Sequence, residues 1–517
     1  MKKLPIGIST FSQIIQENFT YVDKTRFVHE LTEQGKYFFL SRPRRFGKTL
    51  FIDTLKEAFE GNRNLFQGLW LDDHWDWDRR FPVIHFSLGL GVPKTRGELD
   101  RRLRDLLLKN QADLGITCRD PNDIAGCFSE LIRKAATGFG RRAVVLIDEY
   151  DKPILDNITE PEKAAEIREG LKNFYSVIKD SDPHIQFAML TGVSKFSKVS
   201  LFSGLNNLID ITLDSRFSTI CGYTESEMRD VFASFLEGKN LEDIRRWYNG
   251  YSWLGEEVYN PFSILNFLSQ GSFRNYWFET GTPEFLVKLF QQKRYFIPQA
   301  EHIEAYEAMF GSFDLDYIEP ENLLFQTGYL TIKNIRPGIF EPTYDLSYPN
   351  YEVKKSLTES ILHRYCGSQI DVHRNRHQLE HNLSANDIQG MRSTFQAFFA
   401  SIPHDWYRKN QLAAYEGYYA SIFYCYFTAL GLDVTAEDTS NHGRVDMTVK
   451  LNNRVYIFEF KVLRIDTTSG SALNQIKNKN YADKYLDVGE EVYLIGVEFD
   501  PEERNIVGFE WEPVLNV

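Results

Sequence analysis

Asp446, Glu459 and Lys461 are the residues of this chain best placed to do chemistry. They lie in RVDMTVKLNNRVYIFEFKVL, residues 444–463. Alternating apolar positions predict two strands, 445–451 and 454–463. Asn452-Asn453 suits a two-residue hairpin loop, because asparagine tolerates positive φ. That register sets Asp446 opposite Glu459, with Cβ atoms about 4.5–5.5 Å apart. Lys461 shares their face, since side chains repeat every second residue. Two carboxylates this close would hold a divalent cation, with an ammonium beside it. The alternative is a solvated charged face. Against it, 455–462 is an almost unbroken apolar run, of the kind buried on both sides. A Glu and a Lys inside it are costly unless paired or bound to metal.

Elements on either side must hold this hairpin. A helix is predicted over 411–430, with Ala413, Glu416, Ala420, Phe423 and Phe427 spaced by three and four. Glu416 then falls on an apolar stripe, as an inward acid that helps the metal or orders its ligands, or as a side chain snorkelling at the stripe's edge. A second helix is predicted over 471–485, with Gln475 near its start, and a strand over 491–497.

A second constellation lies near the start of the chain. A short buried strand, 37–40, runs into SRPRRFGKT, residues 41–49. Leu50, Leu55, Ala58 and Phe59 then recur at helical spacing, and Gly61 can end the helix. Strand, loop ending in Gly-Lys-Thr, helix is the layout that cradles phosphates on backbone N–H groups and a helix N-terminus. Arg44, Arg45, Phe46, Gly47, Lys48 and Thr49 form the candidate nucleotide-binding set, with Lys48 reaching the β and γ phosphates and the Thr49 hydroxyl on Mg²⁺. Arg42 stands where the usual pattern has glycine, and the side chains of Arg44 and Arg45 could approach phosphates instead.

The run AVVLIDE, 143–149, reads as a buried strand ending in two acids. Asp148 would complete the Mg²⁺ shell and Glu149 would polarise the attacking water. A third strand, 185–190, ends at TGVSK, where Thr191 could sense the γ-phosphate or sit in an ordinary polar loop. Residues 81–88 supply another strand, and this α/β region extends to about 220.

At 517 residues, two to four domains are expected. Forty Phe and 27 Tyr call for large cores. A net charge of −13 argues against broad, nonspecific coating of nucleic acid and cuts mildly against a nuclease without excluding one. Residues 405–517 hold 11 basic against 18 acidic side chains, so nucleic acid would need a local patch and metal ions there. Five scattered cysteines without a CxxC pair suggest a reducing compartment and no zinc site. No signal-like or membrane-length apolar run is present, and a cytoplasmic protein without membrane contact is expected.

Residues 221–345 read as helical and aromatic, with Thr224 as an N-cap. The alternative is a nucleic-acid module whose Tyr and Trp stack on bases. Residues 346–404 read as linking helices, with His363-Arg364, His373-Arg374 and Arg376-His377 as a basic stretch that is either solvated or touches phosphate.

SRPRRFGKTL, LIDEYDKPI (146–154), TGVSKFSKVSLFSGLNN (191–207) and YVDKT (21–25) together resemble the bacterial AAA-ATPase-like proteins, which couple an ATPase to a C-terminal domain of the PD-(D/E)XK nuclease superfamily. The resemblance covers nearly the whole chain, and Arg42 matches the family's own form of the loop. It implies an α/β fold of an additional-strand P-loop NTPase (AAA-like) domain at 1–220, a helical lid at 221–345, a helical linker at 346–404 and a nuclease-like α/β domain at 405–517. Carried over, Asp446 and Glu459 are metal carboxylates, Lys461 the catalytic lysine, Glu416 the first-helix acid and Gln475 a polar residue of the later helix. The implied activity is ATP binding or hydrolysis coupled to Mg²⁺-dependent cleavage of DNA, with Mn²⁺ as an alternative metal and a homo-oligomer allowed. The rivals are an RNase and an ATP-driven switch whose nuclease fold only binds nucleic acid or a partner.

Overall fold

Tyr37–Ser41 form β1, buried at every position. The computed structural model describes residues 2–195, 207–277, 284–311, 318–366, 369–402, 415–440, 443–463, 470–479, 481–486 and 491–514. After β1 come α1 (Lys48–Phe59), β2 (Val83–Ser87), β3 (Ala143–Asp148), β4 (Ile185–Gly192) and β5 (Ile209–Asp210). These strands form one parallel sheet in the order β2-β3-β4-β1-β5. β4 is thus the additional strand, inserted between the loop-bearing β1 and the acidic β3. The expected strands all form, with ends shifted by a few residues. Their apolar runs are continuous because helices cover both faces of such a sheet. Ser41, Asp148 and Gly192 end their strands at one edge, the usual ligand side of a parallel α/β sheet. Most of TGVSKFSKVSLFSGLNN, residues 196–206, lies outside the described residues.

The chain divides into two compact units, Met1–Trp277 with Glu304–Tyr351, and Phe278–Ile303 with Glu352–Val517. In the first, α2 (Glu225–Val231) begins at Thr224, whose hydroxyl accepts from Glu227 N while the Glu227 carboxylate accepts from Thr224 N. This is a capping box, and it bears out the predicted N-cap. α3 (Pro261–Gln270) starts at the Asn260 cap and α4 (Pro320–Thr327) ends at Gly328, φ +88°. The all-helical expectation for 221–345 is corrected by an antiparallel pair, β6 (Thr331–Arg336) and β7 (Thr343–Ser347). Their alternation is too short, and too broken by Asn334 and Pro337, to read as strands. Tyr248, Tyr251, Trp253 and Tyr259 are buried, so these aromatics pack into the core and do not present faces for bases. Cys118 and Cys127 form a disulfide, with Cα atoms 5.3 Å apart. This pairing stands against the reading of the five cysteines as a scattered set that suggests a reducing compartment. The Gln111 side chain, accepting from Cys118 N, turns that segment back onto the helix carrying Cys127.

The second unit is built on α5 (Glu416–Ala429) and a five-stranded sheet: β8 (Asp433–Ser440), β9 (Gly443–Leu451), β10 (Arg454–Val462), then α6 (Ser471–Asn478) and α7 (Asp483–Leu486), then β11 (Glu491–Asp500) and β12 (Asn505–Val514). The strands lie in sequence order, antiparallel except for the parallel pair β10–β11. β8 and β12 extend the expected core of helix, two strands, helix and strand. The helix predicted at 411–430 begins at Glu416; residues 411–414, with Ala413, lie outside the described residues. It is buried on every side from Tyr418 to Ala429, so it has no apolar stripe. The single helix predicted at 471–485 breaks after Asn478, because Tyr481, Ala482 and Tyr485 turn into the core against Val455 and Ile457. Among the described residues, no helix is long and apolar enough to cross a membrane.

Candidate active sites

The β9–β10 hairpin turns through Asn452 and Asn453, at φ +49° and +60°. Two left-handed residues make the primed turn that matches strand twist. The register is the one read from the sequence, with Met447 opposite Phe458 and Leu451 opposite Arg454. One step further, side chains replace the ladder. Asp446 Oδ2 accepts from Phe460 N at 2.7 Å, and Glu416 Oε1 accepts from Val462 N at 3.1 Å. Glu416 is the first residue of α5 and is exposed, which corrects its placement on a buried stripe. A carboxylate there is favoured by the positive end of the helix. It still reaches the same strand edge as Asp446.

Glu459 is 4% exposed. The Gln475 amide, on α6, donates to Glu459 Oε1. Glu459 Oε2 is buried and has no hydrogen-bond partner among the described residues. Such an orphaned carboxylate oxygen is costly in a dry site unless a cation takes it. Burial raises both carboxyls above their ordinary range; the Asp446 charge pushes Glu459 further, and the Glu416 charge pushes Asp446. Lys461 opposes both shifts. Its ammonium is half-buried and makes no ion pair among the described residues. Asp446, Glu459, Glu416, Lys461 and Gln475 are therefore brought to one end of the hairpin; among the described residues no three acids stand as a ready metal cage, and the Asp446 and Glu459 oxygens are the hard donors a divalent cation would find there.

Two residues that hold this arrangement escaped the sequence reading. Gly496 on β11 pairs with Glu459, and a Cβ there would lie 2.3 Å from Leu473 N. The backbone of α6 therefore rests directly on the strand, which sets Gln475 over Glu459. Glu498, opposite Lys461 in the ladder, is buried and accepts from Gly470 N, Ala472 N and Ser471 Oγ at 3.0–3.3 Å. It anchors the first turn of α6. A charged residue inside EVYLIGVEFD was the available signal, but the predicted strand stopped at Val497. Gly496→Val is expected to destabilise the protein by about 1–3 kcal/mol by overpacking. It is also expected to weaken the stabilisation by Mn²⁺, as read from melts with and without the ion. An unchanged Mn²⁺ response would show that α6 does not support the pair.

A pH effect follows from the raised carboxyls. Both hold a proton more tightly folded than unfolded, so between the unfolded range near about pH 4 and their folded range the native state binds more protons. Stability without metal is then present at low pH and is lost as pH rises through the folded range. In EDTA the melting temperature is expected to fall between pH 5 and 8, less so in Glu459→Gln, while added Mn²⁺ stabilises most at pH 8. Equal Mn²⁺ increments at both pH values would refute this account.

The nucleotide candidates also converge. Gly47, at φ +95°, caps α1, and Lys48 and Thr49 open it. The buried Lys48 ammonium donates to the carbonyls of Arg42 and Pro43, each at 2.9 Å, and burial pulls it below the usual lysine range. Asp148 accepts from Thr49 Oγ1 on Oδ2 at 2.7 Å and from Thr191 Oγ1 on Oδ1 at 2.6 Å. One carboxylate thus ties the loop to the end of β4. Thr191 is fully buried and points at Asp148. Glu149 sits at φ +54°, beside Gly89, where a Cβ would lie 2.6 Å from its Oε2. Burial, then the Asp148 charge, raises the Glu149 carboxyl. Arg44 and Arg45 are exposed, whereas the Phe46 ring is buried against Tyr251 and Trp253. Sequence reasoning missed Asp151, which is buried and accepts from Val193 N, Ser194 N and Ser194 Oγ, and so ties the acidic segment to the turn after β4.

Two families match the chain: predicted AAA-ATPase over residues 5–202 and PD-(D/E)XK nuclease superfamily over residues 414–509. A protein of Azotobacter chroococcum mcd 1, described as an uncharacterized protein in the vnfD 5′ region, is 56% identical over 509 residues, which cover 98% of each chain.

Proposed function

Because the chain belongs to the predicted AAA-ATPase family and carries a PD-(D/E)XK nuclease-superfamily domain behind the ATPase, we propose that it binds and hydrolyses ATP and uses a divalent metal to cleave DNA. In this reading residues 1–220 hold the nucleotide, 221–345 form its lid, 346–404 link and 405–517 cut. The buried Glu459 Oε2, which has no hydrogen-bond partner among the described residues, carries the proposal together with the neighbouring Asp446.

Asp446 and Glu459 would hold Mg²⁺, or Mn²⁺ in its place. The metal, when bound, supplies charge neutralisation and a water acidic enough to attack. Gln475 fixes one oxygen of Glu459, leaving the other for the cation. Phe460 N holds one oxygen of Asp446, and the other has no hydrogen bond among the described residues. Glu416 adds negative charge to the same edge and strengthens the pull on a cation. Lys461, with no ion pair among the described residues, stands on the face of Glu459, ready to meet charge that develops on phosphoryl oxygens.

At the other site, Lys48 would exchange the Arg42 and Pro43 carbonyls for phosphate oxygens, while the N–H groups of 44–47 cradle them. Thr49 and Asp148 would share Mg²⁺, with Thr191 keeping Asp148 aimed. Glu149, raised by burial, is poised to take a proton from water.

The test is cleavage of single-stranded, duplex and plasmid DNA, and of labelled RNA, with Mg²⁺ or Mn²⁺ and with or without ATP. Lys461→Ala and Lys48→Ala run beside the wild type. Metal-dependent DNA cutting that is lost in Lys461→Ala is the expected result, and loss of the ATP response in Lys48→Ala would tie the two sites. ATP turnover with no cutting of any nucleic acid would overturn the nuclease half.

A further inference from the structure

Every residue of the phosphate loop from Arg42 to Phe46 is held from outside by residues of 212–277 and by Gly328, all in the same unit. The Arg42 guanidinium is fully buried and donates to the carbonyls of Ser41, Thr212 and Phe217, with the Trp253 face 4.2 Å away. Pro43 abuts Gly328, where a Cβ would lie 2.6 Å from its ring. The Arg44 carbonyl accepts from Trp277 Nε1 at 3.2 Å. The Arg45 guanidinium lies 4.0 Å from the Phe262 ring centroid. The Phe46 carbonyl accepts from Gly222 N at 3.2 Å, and its ring meets Tyr251 and Trp253 edge-on.

This grip has a conformational purpose. Arg45 has φ +64° and Gly47 φ +95°. Left-handed residues alternating with ordinary ones turn successive N–H groups into one concavity, which is what an anion needs. Glycine adopts that geometry freely, but an arginine holds it only where its surroundings fix it. Phe262, on α3, is a ring against which the Arg45 guanidinium lies.

We propose that Phe262 and Trp253 are positioning residues of the nucleotide site, and that the Arg45 side chain serves as the handle they grip rather than as a phosphate ligand. The lid region thus shapes the phosphate cradle from behind. The inference rests on reading residues 42–49 as the nucleotide site.

Titration with a fluorescent ADP or ATP analogue tests it without reference to turnover. Phe262→Ala and Arg45→Gln are each expected to weaken binding about two- to fivefold, the range of a solvent-exposed cation–π pair. The double variant should bind no worse than either single one, because both break the same contact. Phe262→Tyr, which keeps an aromatic face at a half-buried position, should keep near-wild-type affinity at an unchanged melting temperature, and Trp253→Phe should keep affinity while the lost core volume lowers its melting temperature. A Phe262→Ala protein with wild-type affinity would overturn the proposal. So would multiplicative losses, or an Arg45→Gln loss confined to ATP and absent for ADP, as expected of an arginine on the γ-phosphate. Wild-type protein that binds neither analogue would refute the nucleotide site itself, and this inference with it.

Discussion

Lys461→Ala is expected to lose metal-dependent cleavage by about 10²–10³-fold, the usual loss when one preorganised charge-stabilising donor is removed. The reason is its isolation: its ammonium has no ion pair among the described residues, although Glu459 and Asp446 are its electrostatic neighbours. Removing it should leave the fold intact, because no partner is stranded by the change. It should raise the Glu459 and Asp446 carboxyls further, since Lys461 now opposes their shift, and so move the activity profile to higher pH. Lys461→Arg keeps the charge but not the compact ammonium, and should recover only part of the rate. Cleavage assays over a pH series, beside melting curves, read all of this. A Lys461→Ala protein that cuts at the wild-type rate would remove the lysine from the chemistry.

Glu149→Gln is expected to lower ATP turnover by about 10²–10⁴-fold, the usual contribution of a general base. ATP affinity should stay near wild type, because the groups placed to meet phosphates are Lys48, Thr49 and the loop amides. The substitution removes a charge next to Asp148, so it should leave Asp148 and its two threonine hydroxyls in place. Radiolabelled phosphate release and equilibrium binding together separate the two effects. Loss of binding in step with turnover would assign Glu149 to holding the nucleotide shell rather than to water. In the coupled reading, this variant also fixes the protein in its ATP-bound state, so its DNA cleavage shows which nucleotide state licenses the second site.

Both constellations were legible because they are local. Asp446, Glu459 and Lys461 share a hairpin whose register follows from Asn452-Asn453, and 41–49 is one loop between a strand and a helix. What the sequence hid is long-range. Glu416 was misplaced because helical spacing cannot say where a helix begins. The partners of Arg45 and Phe46 lie some two hundred residues away, so an arginine read as free for phosphate is found on Phe262. Gly496 and Glu498 became visible only once β11 was seen to run parallel to β10, since neither glycine nor a charged residue in a strand announces what it packs against. β6 and β7 were too short to show a period.

The parallel pairing of β10 and β11 also bears on the order in which the molecule is made. The Asp446–Glu459 hairpin is complete about thirty residues before β11 begins. Gln475 comes to rest over Glu459 only after Gly496 offers its bare backbone to α6 and Glu498 caps that helix. A ribosome-bound chain therefore forms the Asp446–Glu459 hairpin early but cannot brace its carboxylates until β11 has emerged and paired, a non-local step and hence a slow one. Any chain that ends before β11 leaves the two carboxylates without the helix that steadies them.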